Sequence, residues 1–393
     1  MGLKVFFNVQ GEGRGHMTQA IALASMLRRA GHEIIGCEVG HGEHSIVPEF
    51  FQQKMACDIT SHASPTIKLN ATARSIDVWN TTVSAGRLAM RYVDSVRSME
   101  ATIKQAKPDV LINFYDPLFG FLSADLGIPK VAIAHQYMFY HPRYPFSRGT
   151  RLQRQGMVMF TKLTAAGADR LLALSLYPAK DLPSRKVRVV PPILREELFA
   201  LKPSTTQPPF LLAYLWRPEL LNEVREWCEE NGDTPVHCYL HHPEKKENDQ
   251  VLPNLTLHHL NDKTFLRMMA KCSGVATTAG FETTAEAMWL EKPLLMVPTH
   301  IEQQCNALDA SMLGGAYASA MFDLERLRHI TPRDQTAFRE WVSRADDMFV
   351  REIEATANRI PMEVVAEDPV TAFSPHAGDG VPEGMGQARV VPG

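Results

Sequence analysis

The sequence predicts an α/β protein of two doubly wound parallel-sheet domains that face each other across an interdomain cleft. Three observations predict it. The chain has 393 residues, too many for one ordinary core and comfortable for two. Short β-rich apolar runs alternate with longer helical patterns, and the alternation runs through the chain twice. Between the two series lie Pro191-Pro192 and the Pro/Thr-rich stretch Lys202–Pro209, poor material for helix or strand.

In the first series the strands are Lys4–Asn8, Glu33–Val39, Val110–Asn113, Val131–Ala134, Arg170–Leu174 and Val187–Val190. In the second they are Phe210–Leu215, Val236–Leu240, Leu255–His259, Gly274–Thr277, Leu294–Val297 and Ala316–Ala318. Near-continuous apolar runs of this length suit central strands buried on both faces. Helical patterns lie at Met17–Arg29, Ser84–Lys107, Arg151–Ala166, Glu219–Glu230, Phe281–Leu290 and Cys305–Leu313. A last helix starts with Thr331 as N-cap and Pro332 at the first helical position, and runs to Arg359. The domain reading is 1–193, 194–331, and a C-terminal helix over 332–360 placed to pack back on the first domain. The Gly- and Pro-rich tail 361–393 lacks periodicity and is expected to be disordered.

Composition narrows the classes. A net charge of −3 leaves no electrostatic footprint for nucleic acid. The start, MGLKVFFNVQGEGRGH, is not a signal peptide, and no apolar run is long enough to span a bilayer. Cysteines 37, 57, 228, 238, 272 and 305 are scattered, which suggests neither a disulfide framework nor a zinc site. A cytoplasmic protein is expected.

The most informative stretch is Gly274-Val-Ala-Thr-Thr-Ala-Gly-Phe-Glu-Thr-Thr-Ala-Glu-Ala287. A strand ends in small residues, Thr277 to Gly280, and a helix begins at once. Small side chains let a ligand approach the backbone, and the free N–H groups and dipole of a helix start favour an anion. Thr278, Thr283 and Thr284 add hydroxyl donors. Glu286, about one and a half turns past Gly280, can accept both hydroxyls of a ribose. An anion site followed by an acid matches a nucleoside diphosphate. The competing reading is an ordinary strand-to-helix turn with capping threonines and a solvated acid. The next unit favours the first: after strand Pro293–Pro298, the cluster Glu302, Gln303, Gln304 precedes the helix that contains Asn306. Acid and amides together supply what sugar hydroxyls need, although alone such a loop reads as solvated surface.

In order, Gly280-x-x-Thr283-x-x-Glu286-Ala287, Lys292-Pro293, Pro298, Glu302-Gln303 and Asn306-Ala307 resemble the donor-site signature of GT-B glycosyltransferases. The pattern is similar both to the bacterial N-acetylglucosaminyltransferase that completes lipid II and to the wider UDP-glycosyltransferases. The resemblance covers most of the chain through Leu313. It implies two facing Rossmann-like domains and a nucleotide-sugar donor, with uridine or thymidine as the base. It also implies that Thr278, Gly280 and Thr283 hold the diphosphate, Glu286 the ribose, and Glu302 with Gln303 the transferred sugar. Two departures stand out. Ala279 sits where the family often has a glycine, and the loop after the first strand of the second domain reads Tyr214-Leu-Trp-Arg-Pro218 in place of Gly and Ser. Arg217 there can serve as a compensating cationic ligand.

Strand Lys4–Asn8 leads into Gln-Gly-Glu-Gly-Arg-Gly-His16. Gly11, Gly13 and Gly15 permit a tight turn and close backbone approach. The spacing is neither that of a dinucleotide fingerprint nor that of a P-loop. His16 at the carboxyl end of a first strand faces the predicted cleft, where an imidazole can take a proton from an acceptor hydroxyl. The family's glycine-rich loop ending in His implies the same base role. Asp116, after strand Val110–Asn113, is read either as the acid that orients His16 or as a turn residue before Pro117.

Other features receive less weight. His241-His242 and His258-His259 point to opposite faces of a strand and chelate poorly. No Asp-x-Asp motif is placed to bridge a diphosphate through a metal, so no metal and no cofactor are expected beyond the nucleotide-sugar co-substrate. Segment Tyr137–Phe160 mixes Tyr137, Phe139, Tyr140, Tyr144 and Phe146 with Arg143, Arg148, Arg151 and Arg154. It reads as an acceptor lid, a patch for peripheral contact with anionic lipid, or a packed loop with solvated arginines. The function expected is a metal-independent inverting glycosyltransferase using a UDP- or dTDP-sugar and a small-molecule or lipid-linked acceptor. The rivals are a nucleotide-sugar 2-epimerase or hydrolase on the same fold, and a non-catalytic sugar-nucleotide-binding subunit. The epimerase would need cleft carboxylates, and the sequence shows no acidic cluster beside His16.

Overall fold

The computed structural model describes residues 2–11, 14–42, 47–65, 88–142, 144–146, 151–240, 248–259, 262–330 and 334–362. Gly13, Arg143, Arg148, His241, His242, Thr331, Pro332, the helix start predicted at Ser84 and the tail from residue 363 onward lie outside the described residues.

The first half runs β1 (Lys4–Gln10), α1 (Gly15–Arg29), β2 (Glu33–His41), α2 (Glu49–Met55), β3 (Ile59–Ala63), α3 (Ala89–Ala106), β4 (Val110–Phe114), β5 (Lys130–Ala134), α4 (Arg151–Ala165), β6 (Arg170–Leu174) and β7 (Val187–Val190). Its strands form a parallel sheet in the order β3-β2-β1-β4-β5-β6-β7. Helix α5 (Glu196–Phe199) lies on the connection to the second half. There follow β8 (Leu211–Leu215), α6 (Leu221–Glu230), β9 (Val236–Leu240), β10 (Asp249–Leu252), β11 (Leu255–His259), α7 (Asp262–Lys271), β12 (Gly274–Thr277), α8 (Phe281–Trp289), β13 (Leu294–Met296), α9 (Ile301–Met312) and β14 (Tyr317–Ala318). The second sheet has the order β10-β11-β9-β8-β12-β13-β14, parallel except for the β10–β11 pair. Helices α10 (Glu325–His329), α11 (Thr336–Ser343) and α12 (Ala345–Ala357) complete the described chain.

The central strands β4, β5 and β6 are buried along their whole length, as helices on both faces of a parallel sheet require. Two strands that the apolar pattern did not announce are sheet edges. β3, Ile-Thr-Ser-His-Ala, and β10, Asp-Gln-Val-Leu, are mostly half-buried or exposed, because an edge strand has less to bury. Each sheet reverses its winding beside its first strand, between β1 and β4 and again between β8 and β12. Crevices beyond the carboxyl ends of strands at such reversals are where ligands bind in open α/β sheets.

The C-terminal segment departs from the single helix expected. It breaks at Arg344 into α11 and α12. Helix α12 packs against β4, β5 and β7, and its buried Glu352 pairs with Arg170 Nη1 at 2.6 Å and Arg188 Nε at 3.2 Å. Helix α11 touches both halves: Trp341 Nε1 donates to the Ser175 carbonyl at 2.9 Å, and Arg339 Nη2 to the Trp289 carbonyl at 2.7 Å. No described helix is long and apolar enough to cross a membrane.

Candidate functional site

At the reversal of the second sheet, β12 ends at Thr277, three residues turn the chain, and α8 starts after Gly280. Gly280 is the N-cap, with no side chain closing the helix start. A Cβ built on it would meet nothing within 4 Å, so open space adjoins the first-turn amides. Those amides and the helix dipole suit an anion. Ala279 has φ +63°, the left-handed region that a glycine adopts freely and an alanine adopts only at a cost. The Asn306 amide secures the strained residue by donating to its carbonyl at 3.1 Å. Thr278 and Thr283 are buried beside this turn, and the Thr277 hydroxyl is buried without a partner.

Glu286 is not a solvated residue of α8. It is 2% exposed, and Arg195 of the interdomain connection grips both its oxygens, Nε to Oε1 at 2.6 Å and Nη2 to Oε2 at 2.7 Å. Glu302 and Gln303 lie in the first turn of α9 rather than in a loop before it, because that helix begins at Ile301, four residues ahead of the predicted start. The Gln303 oxygen accepts from Thr299 N at 2.9 Å and from its hydroxyl at 2.8 Å, locking the turn that presents Glu302.

In the first half, Gly11 N donates to the Gly40 carbonyl at 2.7 Å, and a Cβ on Gly11 would lie 2.6 Å from that oxygen. Only glycine fits so close an approach. His16 opens α1. Its ring stacks on Tyr115 with centroids 5.5 Å apart, and its Nδ1 lies 3.4 Å from Gln19 Oε1. Tyr115 has φ +63°, a costly conformation for a bulky residue. Asn113 holds it there: the amide donates to the Asp116 carbonyl at 3.0 Å and accepts from Asp116 N at 3.1 Å.

Of the two readings of Asp116, the structure shows the turn residue before Pro117, its carboxylate capping the turn and facing His62 rather than His16. Its carboxylate accepts from Leu118 N at 2.8 Å and lies 3.3 Å from Nε2 of His62, whose Nδ1 lies 3.2 Å from Glu38. All three side chains are nearly excluded from solvent. Burial opposes the charge on His62, and the two carboxylates outweigh it, holding the imidazole up at about 9. This buried triad ties β2, β3 and the turn after β4 together. His62 was invisible as a partner because β3 was.

The halves meet through these same residues. Glu302 accepts from Gln136 Nε2 at 3.1 Å and lies 3.2 Å from His135 Nε2, both from the turn after β5. The His135 ring stacks on Phe281, the first residue of α8, with centroids 4.7 Å apart. Burial would raise the Glu302 carboxyl, and the imidazoles of His135, His300 and His16 hold it at about 2. Burial lowers His16 to about 4 against the pull of Glu302. Glu282, in the first turn of α8, accepts from Gln19 Nε2. The fold thus supplies the acidic groups beside His16 that the sequence order does not show, Glu282 and Glu302.

Neither His135, Gln136, Glu282, Gln19 nor Arg195 was singled out from the sequence. The usable signal was position: His135-Gln136 and Glu282 follow the carboxyl ends of central strands. The aromatic residues of segment 137–160 do not form an exposed lid. Tyr137, Phe139 and Tyr144 are buried, and Tyr137 and Phe160 pack around Tyr115, behind His16. Among the described residues no three His, Cys, Asp or Glu are grouped to hold a metal ion.

The sequence profile of the family described as Glycosyl transferase family 1 matches residues 3–333. No curated protein matches the chain in sequence. Among solved structures, the glycosyltransferase SnogD from Streptomyces nogalater is 15% identical with TM-score 0.53, covering 92% of this chain and 99% of its own. Phytolacca americana UGT2, complexed with UDP-2-fluoro-glucose and pterostilbene, is 14% identical with TM-score 0.58, covering 90% and 100%. MnaA from S. aureus, complexed with UDP, is 15% identical with TM-score 0.52, covering 92% and 99%. At such identities the likeness is one of fold, the two-domain Rossmann-like architecture of GT-B proteins.

Proposed function

Because the chain belongs to glycosyl transferase family 1, we propose that it moves a sugar from a nucleoside-diphosphate sugar to a hydroxyl-bearing acceptor, with inversion and without a metal. One observation carries the reading. Glu282, in the first turn of the helix that opens at Gly280, reaches Gln19, one turn along from His16. That contact brings the start of this helix and the imidazole together where the two halves meet, which supports reading them as parts of one site.

In this reading the N-terminal amides of α8, with Thr278, Gly280 and Thr283, take the charge of the departing diphosphate. Glu286, held by Arg195 through one lone pair on each oxygen, accepts the ribose hydroxyls through the others. Glu302 and the Gln303 amide nitrogen bind hydroxyls of the transferred sugar. His16 Nε2 takes the proton of the acceptor hydroxyl as its oxygen bonds to the anomeric carbon and the bond to the diphosphate oxygen breaks. A single displacement inverts that carbon. Burial suits His16 to the task, because an imidazole neutral at pH 7 has its lone pair available. UDP and dTDP are the nucleotides to try first, with the acceptor a small molecule or a lipid-linked one.

The test is His16→Ala. Transfer should fall by roughly 10²- to 10⁴-fold, the usual contribution of a general base. Stabilisation by nucleoside diphosphate should persist, since the anion site is on the other half. Parental turnover by the variant refutes the base assignment. The carboxylates of Glu282 and Glu302 beside His16 favour a second reading, an epimerase or hydrolase of the nucleotide sugar. Product analysis separates them, since an epimerase interconverts two nucleotide sugars without any acceptor.

A further inference from the structure

A continuous chain of side chains crosses from His16 into the second half. Gln19 is 1% exposed, and its Oε1 lies 3.4 Å from His16 Nδ1. Its Nε2 donates to Oε1 of Glu282. The other Glu282 oxygen rests over Gly15, where an added Cβ would sit 2.5 Å from it. A Cβ at 15 would press on the end of the Glu282 side chain and oblige it to shift. Burial, with Glu286 and Glu302 nearby, raises the Glu282 carboxyl; in its ionised form the donor and acceptor roles along the chain follow. A carboxylate only accepts, so the Gln19 amide turns its NH2 to Glu282 and its carbonyl to His16. A carbonyl also only accepts, so the imidazole proton sits on Nδ1 and the lone pair on Nε2.

We propose that Gln19 and Glu282 are positioning residues that set the tautomer and orientation of His16 once the donor half has docked. The proposal rests on the reading of His16 as the base. Neither residue gains or loses a proton in the reaction; the acceptor proton goes to His16 Nε2 and nowhere else. The consequence is that the base is ordered where the halves meet: with the halves apart, Gln19 loses the carboxylate that fixes its amide. Tyr115, His135 and Glu302 also face His16, and none of them is placed on its Nδ1 side by a hydrogen bond.

The test compares kcat, donor KM and the pH profile for Gln19→Met, Gln19→Glu and the swap Gln19→Glu/Glu282→Gln, beside His16→Ala. Gln19→Met keeps shape but neither accepts nor donates, and should cost about 10- to 100-fold in kcat, the scale of a misplaced catalytic group, with donor KM little changed. Its acid limb should move to lower pH, since the imidazolium loses an acceptor. Gln19→Glu sets two carboxylates against each other and should lose comparably. The swap restores an ordered chain, the new amide at 282 donating to the new carboxylate at 19. Most of kcat should return, now with the acid limb moved up by the neighbouring charge. Thermal stabilisation by UDP shows that each variant is folded, and if Gln19→Met does not fold the swap decides. Parental kcat and pH profile in Gln19→Met, or a swap no better than Gln19→Glu alone, overturns the proposal provided His16→Ala is inactive. Full turnover by His16→Ala instead overturns the base reading beneath it.

Discussion

Replacing Arg195 with Met removes the guanidinium that grips Glu286. The pair has two short charge-assisted hydrogen bonds, at 2.6 and 2.7 Å, and the residues are 9% and 2% exposed, so solvent screens them little. Removing one member of such a pair strands a desolvated charge and costs about 3–5 kcal/mol. For a domain of about 150–250 residues each kcal/mol moves Tm by about 2–4 °C, so the midpoint should fall by roughly 6–20 °C. Thermal and urea unfolding of Arg195→Met measures the loss directly. The double variant Arg195→Met/Glu286→Leu, with neither charge left, should recover most of it. A single variant within about 1 kcal/mol of the parent, or a double no more stable than the single, would refute the view that this pair is a buried, mutually dependent ion pair.

Ala279→Gly relieves a left-handed alanine and should stabilise the chain by about 1 kcal/mol, read from the urea midpoint; a lower midpoint refutes the strain. Burial raises the Asp309 carboxyl from 3.8 to about 7, against the Tyr177 hydrogen bond. The folded chain keeps a proton there that the unfolded chain has released, so this group costs stability as pH rises between those values. Asp309→Asn should therefore gain on the parent at pH 8 and little at pH 4; an equal difference at both refutes it. Helix α4 exposes Arg151 and Lys162 beside Met159 at 59% and Leu163 at 40% exposure, with Phe121 nearby at 59%. Charge reversal at Arg151 and Lys162 should reduce sedimentation with anionic vesicles; undiminished sedimentation removes this face from any membrane role.

The fold was legible where burial is two-sided. β4, β5, β6, β9 and β12 are apolar runs because both faces meet helices, and a run is what the eye finds. Edge strands β3 and β10 carry mixed residues and passed unseen. The same asymmetry governs the site. The turn at Thr277–Gly280 and the imidazole at 16 follow strands directly, so their placement was readable from order alone. Partnerships were not. Asp116 and His16 both follow strands that are neighbours in the sheet, yet the acid pairs with His62, which comes from the unseen edge strand. Glu302 with His135, Gln19 with Glu282 and Arg195 with Glu286 are separated by more than ninety residues each, and nothing local in the chain announces which will meet.

The backbone passes between the sheets at two places: once at the connection bearing Arg195, and again where α11 leaves the second half and α12 settles on the first. Two straps leave a pair of bodies far less freedom than one. Wide separation and sliding are both resisted, and the remaining easy movement is a swing about the line joining the straps.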